Sequence, residues 1–373
     1  MYLIWKRRSF PRLDKNKTIM DLTRLLQMVI ENKASDLHLR VQNPPILRID
    51  GKLTILTELP ALTLEDIKEI ISSITAPEQS ANFYQHKELD LTYSFLGFYR
   101  FRINVLMERG SPSIAFRAIP VKIPTIDELE LPQILKQLIL KPRGLILVTG
   151  PTGTGKSTTM AAMIDYLNDT ERRNIITIEE PIEFLHMNKK SIIVQREVGS
   201  DTESFEMALT RALRHDPDVI VVGEMRDLPT IATAITAAET GHLVLATLHT
   251  YNAAQSVDRI IDVFPPDQQE QIRFQVSQVI EAVLSQTLVT RLAGSRIAAF
   301  EIMTANTATH NLIRGNKVHQ MSSVIETGSQ DGMQTLDQAL ADLVKKKIIA
   351  KEVAIQKVQN LKGFEQWLKS PIK

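Results

Sequence analysis

The run Gly150-Pro151-Thr152-Gly153-Thr154-Gly155-Lys156-Ser157-Thr158 constrains the fold of this 373-residue chain more tightly than any other stretch. It follows the apolar run Leu145-Ile146-Leu147-Val148 and opens into Thr159-Met160-Ala161-Ala162-Met163-Ile164. The pattern G-x-x-x-x-G-K-[ST], set between a buried strand and a helix, is that of a phosphate-binding loop. Glycines at 150, 153 and 155 let backbone N–H groups turn toward phosphate oxygens, and the helix N-terminus adds partial positive charge. In such a loop Lys156 reaches the β- and γ-phosphates and the Ser157 hydroxyl ligates Mg²⁺.

From Gly144 onward strands and helices alternate. The apolar runs at 145–148, 174–178, 191–195, 219–222 and 243–248 are separated by helical patterns after Lys156, near 203–214 and near 228–238. Such alternation predicts a parallel sheet covered by helices, with the phosphate loop at the carboxyl end of its first strand. After Pro265-Pro266 the spacing of Ile272, Val276, Val279 and Val283 predicts one long helix, and further helices from about Gln334 close the chain.

The residues before Gly144 read differently. Leu22, Leu25, Leu26 and Val29 stand at helical spacing, and Leu37, Leu39 and Val41 alternate with polar residues. The runs 46–49 and 53–56 flank the hairpin turn Asp50-Gly51. Thr63 caps a helix with an apolar stripe at Leu64, Ile67, Ile71 and Ile74. The strand from Tyr99 to Val105 puts Arg100, Arg102 and Asn104 on one face, and the strand 113–118 carries Arg117. The expected organisation is a basic extension over 1–17, an α+β domain over 18–119, a proline-punctuated linker over 120–143, an α/β core over 144–300 and a helical region over 301–373.

Composition narrows the chemistry. There is no cysteine, which removes disulfides, thiolate metal sites and cysteine nucleophiles and fits a cytoplasmic protein. A net charge of +1 gives no reason to expect nucleic acid as a partner. No apolar run approaches a bilayer span, so membrane contact is expected to be peripheral. Residues 1–17 carry +5 and suit either a solubilising tail or a tether to an anionic surface.

Hydrolysis in phosphate-loop proteins needs a carboxylate on the γ-phosphate side. Asp218-Val219-Ile220-Val221-Val222-Gly223-Glu224 supplies a buried strand, a glycine for close approach and then an acid, so Glu224 is the candidate for positioning water and for holding Mg²⁺ through water, with an ordinary solvated acid after a buried strand as the alternative. Glu179, Glu180 and Glu183 crowd the end of another strand and suit a Mg²⁺-facing edge or a solvated loop. His242 and His249 bracket the strand 243–248, seven positions apart, so a shared metal is not expected. Phosphate sensing and a structural role both fit them. Arg100, Arg102 and Arg117 form either a solvated face or a source of an arginine aimed at a γ-phosphate.

In this order the motifs closely resemble the secretion ATPases of the type II secretion and type IV pilus superfamily, above all its pilus-retraction, PilT-type branch. The resemblance runs from Ala34-Ser35-Asp36-Leu37-His38-Leu39 to Gly332-Met333-Gln334-Thr335-Leu336-Asp337. It takes in the Walker A loop at 150–159, an Asp box at 175–184, a Walker B segment at 213–227 and a His box made of Thr240-Gly241-His242 and Leu248-His249-Thr250. It implies a RecA-like ATPase domain behind a PAS-like N-terminal domain, and a homohexamer with ATP and Mg²⁺ between subunits. In that scheme Glu224 is the catalytic glutamate, Glu183 the Asp-box acid, His242 and His249 the His-box pair, and Arg102 and Arg117 reach the nucleotide of a neighbouring subunit. The implied function is type IV pilus retraction and twitching motility, with the motor at the cytoplasmic face of the inner membrane against a platform protein.

Two departures stand out. Glu180 occupies a position where the Asp box usually has aspartate, and Ala308-Thr309-His310-Asn311-Leu312-Ile313-Arg314 stands where retraction motors show A-I-R-N-L-I-R. An accessory retraction paralogue and an extension or secretion ATPase are the near rivals. A RecA-like nucleic-acid translocase is the rival from another class.

Overall fold

In the computed structural model, residues 21–96, 99–119 and 122–370 are described, and the chain divides into two compact units, Met1–Val121 and Lys122–Lys373. The basic extension expected over 1–17 lies outside the described residues.

The first unit runs α1 (Leu22–Glu31), β1 (Asp36–Arg40), β2 (Ile46–Ile49), β3 (Lys52–Ile55), α2 (Leu64–Ile74), α3 (Pro77–His86), β4 (Glu88–Phe95), β5 (Tyr99–Glu108) and β6 (Ser111–Ile119). Its six strands form an antiparallel sheet ordered β3-β2-β1-β6-β5-β4. The β2–β3 turn has Asp50 at φ 48 and Gly51 at φ 79, the paired left-handed conformation that fits the twist of a hairpin. Thr63 caps α2 in a reciprocal box with Asp66. Leu25, Leu26, Ile67 and Ile71 from the helices pack with Leu37, Leu39, Phe101, Ile103 and Phe116 from alternate strand positions. The other set of positions holds Asp36, Arg48, Arg102 and Arg117. Neither α3 nor β4 is expected from the sequence pattern. Only Phe83 of α3 is buried, and β4 is a half-exposed edge strand, so neither shows a strong apolar stripe.

The second unit begins with α4 (Ile134–Ile139), β7 (Gly144–Thr149), α5 (Lys156–Thr170), β8 (Asn174–Glu179), β9 (Ile192–Glu197), α6 (Phe205–Ala212) and β10 (Val219–Val222). It continues with α7 (Leu228–Glu239), β11 (Leu243–Leu248), α8 (Ala253–Asp262), α9 (Gln269–Val279), β12 (Ile280–Thr290) and β13 (Arg296–Thr304). Helices α10 (Thr307–Arg314), α11 (Met321–Thr327), α12 (Leu336–Lys345), α13 (Lys351–Ile355) and α14 (Leu361–Lys369) complete it. The sheet order is β13-β12-β7-β11-β10-β8-β9, parallel throughout except for the β12–β13 pair.

Every residue of β7, β10 and β11 is buried, as a strand covered on both faces must be. Leu145 and Leu147 join the core that includes Ile231, Val257 and Val276 from α7, α8 and α9, while Ile146 and Val148 join the core that includes Leu135 and Met163 from α4 and α5. Each such fully buried aliphatic side chain contributes about 1.5–3 kcal/mol relative to exposure. This is the expected α/β architecture.

Three expectations change. The helix foreseen through Val283 stops at Val279, and Val283 lies on β12, paired with Leu147 of β7. Helix abuts strand with no turn residue between, so the apolar spacing runs on without a break. β13 continues through residue 300, so the sheet extends past the point where the sequence suggested a helical region to begin. The segment 120–143 is no free linker: Ile126, Leu131, Leu135, Leu138 and Ile139 are core residues of the second unit.

Candidate nucleotide site

The phosphate loop lies between β7 and α5, held in shape from β12. Gly150 has φ 138, and a Cβ there would lie 2.4 Å from the Gln286 carbonyl oxygen, so no other residue fits without displacement. Gly155, in the left-handed region, ends the loop as the N-cap of α5. The Gln286 side chain spans the loop and the helix: its Nε2 donates to the Thr154 carbonyl at 2.7 Å, and its Oε1 accepts from the Thr159 hydroxyl at 2.8 Å. Both bonds are buried, which makes them worth more and costlier to break. Nothing local in the sequence singles out Gln286, because its partners lie more than 120 positions away.

Lys156 is buried, and its Nζ donates to the carbonyls of Gly150 at 2.6 Å and Pro151 at 3.1 Å. Burial lowers its pKa, opposed by the nearby carboxylates of Glu224 and Glu183. The loop opens on a cavity of about 710 Å³. Thr152, Gly153, Gly155, Lys156, Ser157 and Thr158 line it; Gly150, Pro151 and Thr154 sit behind them. One wall is apolar, made by Leu129, Leu131, Ile164, Leu288 and Ile297.

The opposite wall is acidic, and strand order puts it there. β11 is inserted between β7 and β10, so the ends of three parallel strands converge beside the loop. Gly223 allows β10 to reach β8: an added Cβ would lie 3.0 Å from the Ile178 carbonyl oxygen. Glu224 follows and lines the cavity with Glu179, Glu180, Glu183 and His249. The Glu224 carboxylate takes Arg226 on both oxygens, at 2.7 Å each, and His249 Nε2 on Oε1 at 3.1 Å. Burial would raise its pKa, but the hydrogen bond from Arg226 and the charge and hydrogen bond of His249 outweigh that and hold it below the usual carboxylate range. A second carboxylate behaves oppositely: Glu179 is pushed up by burial, only partly offset by donors from Thr177 at 2.6 Å and Gln195 at 3.1 Å. Arg226 also lies 3.7 Å from Glu180, so one guanidinium links the two acidic motifs. His186, in the same wall, is held neutral by burial, its pKa lowered to about 4.

The two His-box histidines part company. His249, at the carboxyl end of β11, joins the cavity. His242 stands at the amino end of the same strand, where its Nδ1 meets the Ala237 carbonyl at 2.9 Å and the Thr240 hydroxyl at 3.2 Å. At about 3.3 Å per residue the strand separates it from the phosphate loop by about 20 Å. Arg102 and Arg117 belong to the first unit, directly opposite each other on β5 and β6. Arg226, Gln286 and His186 join the site from positions whose sequence context suggests no role there.

A hydroxyl at Ser157 with carboxylates across the cavity is a hard-oxygen donor set suited to Mg²⁺. Among the described residues no group of three His, Asp or Glu side chains could hold a metal alone. No helix among the described residues is long and apolar enough to cross a membrane.

Comparison with known proteins gives concordant results. The type II/IV secretion system protein family matches residues 12–363. Over 345 residues the chain is 47% identical to the type IV pilus retraction ATPase PilT of Pseudomonas aeruginosa, covering 92% of this chain and all of that protein. It is also 47% identical over 317 residues to a twitching motility protein of Neisseria gonorrhoeae, covering 85% of this chain and 84% of that one. The crystal structure of the pilus retraction motor PilT with bound ADP superposes with a TM-score of 0.85 at 45% identity, covering 93% of this chain and 99% of that one.

Proposed function

This chain belongs to the type II/IV secretion system protein family, and from that premise we propose that it is an ATP-hydrolysing motor that drives retraction of a type IV pilus and so twitching motility. The observation that carries this is the convergence of the phosphate loop, Glu224 and His249 on one cavity in a chain alike in sequence to a retraction ATPase over almost its whole length.

The loop N–H groups from Gly153 to Thr158 and the ammonium of Lys156 bind the phosphates of ATP. The apolar wall at Leu129, Leu131 and Ile297 receives the rest of the nucleotide. Ser157, with Glu224 acting through water and Glu183 nearby, would hold Mg²⁺, which would neutralise charge on the phosphates. Glu224, kept anionic by its partners, orients the attacking water and accepts its proton. His249 fixes that carboxylate from the neighbouring strand. Arg102 and Arg117 stabilise the phosphate charge of an adjacent subunit in a homohexameric ring. His242, far from its own loop, is left to a contact outside this cavity. The ring works in the cytoplasm on the inner-membrane platform of the pilus machinery, by peripheral contact and without nucleic acid.

The test pairs sizing with ATPase assay on wild type and Glu224→Gln. Hexamers whose Mg²⁺-dependent turnover drops at least about a hundredfold in the variant are expected, in line with loss of one transition-state group. A monomer with unchanged turnover would sink the reading. Cells lacking the gene should be piliated and unable to retract; bald cells would point to extension instead.

A further inference from the structure

Asp36 is an anomaly of the first unit. It stands on the polar face of the sheet, away from the helices, yet is only 5% exposed. What covers it is a row of side chains in register across the strands: Arg48 on β2 and Arg117 on β6 both lie directly opposite Asp36, and Arg102 on β5 lies opposite Arg117. The Nε of Arg117 donates to Asp36 Oδ1 at 2.8 Å, the Ser35 hydroxyl donates to Oδ2 at 2.8 Å, and Arg48 Nε lies 3.7 Å from Oδ2. Burial would raise the Asp36 pKa, but the hydrogen bonds from Arg117 and Ser35 overcome it, and the group stays an anion.

The contact uses only one edge of the Arg117 guanidinium. Its two Nη groups have no partner among the described residues, and the side chain is 73% exposed. Arg102 beside it is exposed and likewise without a partner among the described residues. A free arginine on a sheet surface samples many rotamers; tying Nε to a buried carboxylate removes much of that freedom and leaves a planar pair of donors, the fork that matches a phosphate. Two arginines directly opposite each other also repel, and the carboxylate next to them offsets part of that cost.

We propose that Asp36 is a positioning residue for phosphate recognition, holding Arg117 by Nε so that its Nη pair, alongside Arg102, is presented to the terminal phosphates of a nucleotide. The proposal rests on the reading of Arg117 as a group that reaches a neighbouring subunit's nucleotide. It gives a purpose to the Ala34-Ser35-Asp36 segment, which none of the cavity chemistry uses.

The experiment measures steady-state ATPase kinetics and hexamer formation of the full chain for Asp36→Asn, Arg117→Lys and the double variant. Asn keeps the volume and loses the charge; Lys keeps the charge and loses the fork. Asp36→Asn should lower kcat about tenfold or more with KM within about twofold of wild type, in intact hexamers. The double variant should be no slower than Arg117→Lys alone, because Asp36 acts only through Arg117. Should Asp36→Asn fail to fold, Ser35→Ala removes one of the bonds fixing the carboxylate and should lower kcat about two- to threefold at unchanged KM. Arg117→Lys impaired with Asp36→Asn at wild-type kcat, Ser35→Ala at wild-type kcat, or effects of Asp36→Asn and Arg117→Lys that multiply, each overturns the proposal and leaves the arginine's role standing. Arg117→Lys at wild-type kcat overturns the underlying reading and the proposal with it.

Discussion

Replacing Gln286 by Met tests whether the phosphate loop owes its shape to a strand 130 residues further along the chain. Met has nearly the same length and volume, so packing on β12 is preserved, but both buried bonds vanish: the one to the Thr154 carbonyl and the one from the Thr159 hydroxyl. Leaving a buried polar group without its partner costs about 1–3 kcal/mol, and the Thr159 hydroxyl can turn to the carbonyl one helical turn back. The Thr154 carbonyl therefore bears the full amount and the redirected Thr159 hydroxyl about 1 kcal/mol, a sum of about 2–4 kcal/mol. That loss falls on the loop itself, since Thr154 is part of it and Thr159 anchors the first turn of α5. If half of it appears as reorganisation on binding, nucleotide affinity drops about tenfold, each 1.4 kcal/mol being a factor of ten. Titration calorimetry with ADP, together with urea unfolding, measures the two parts. A lower urea midpoint with wild-type ADP affinity would show Gln286 to be an ordinary core residue; no change in either would refute the account of these bonds altogether.

Removing the guanidinium that covers Glu224, as in Arg226→Gln, leaves burial pushing that carboxylate up with less to oppose it, chiefly His249. The working form is the anion, lost as pH falls through the folded-state pKa, so raising that pKa moves the acid limb of the kcat/KM profile to higher pH; superimposable profiles would free Arg226 of this role. Gly150→Ala places a Cβ 2.4 Å from the Gln286 carbonyl oxygen at φ 138, whereas at Gly153 nothing lies within 4 Å. The first substitution should therefore abolish ADP binding and lower the melting temperature by several degrees, while Gly153→Ala, strained only by its φ, does less. The reverse order would contradict the close approach of loop and β12.

Whatever depends on neighbours along the chain was legible in the sequence. The glycine spacing at 150, 153 and 155 makes a phosphate loop because backbone conformation is a local property. Asp50-Gly51 makes a tight hairpin, Thr63 with Asp66 a capped helix, and the unbroken aliphatic runs of β7, β10 and β11 make strands buried on both faces, for the same reason. Glu224 stands out in the sequence as an acid directly after a buried strand and a glycine, and the fold brings it into the cavity wall beside His249.

What the tertiary structure decided was which end of an element meets which partner. Two histidines bracketing one strand look equivalent on paper, and only the placing of β11 between β7 and β10 sends His249 to Glu224 and His242 to the far edge. Gln286 and Arg226 are unremarkable as letters; one becomes a brace and the other a clamp through folding. Val283 kept a helical spacing that belonged to a strand, because its partner Leu147 lies 136 positions away and pairing at that range leaves no trace in periodicity. The arginines at 102 and 117 were visible as a charged face. That a buried carboxylate from β1 pins one of them by its Nε alone is a consequence of strand register, which a one-residue slip would erase.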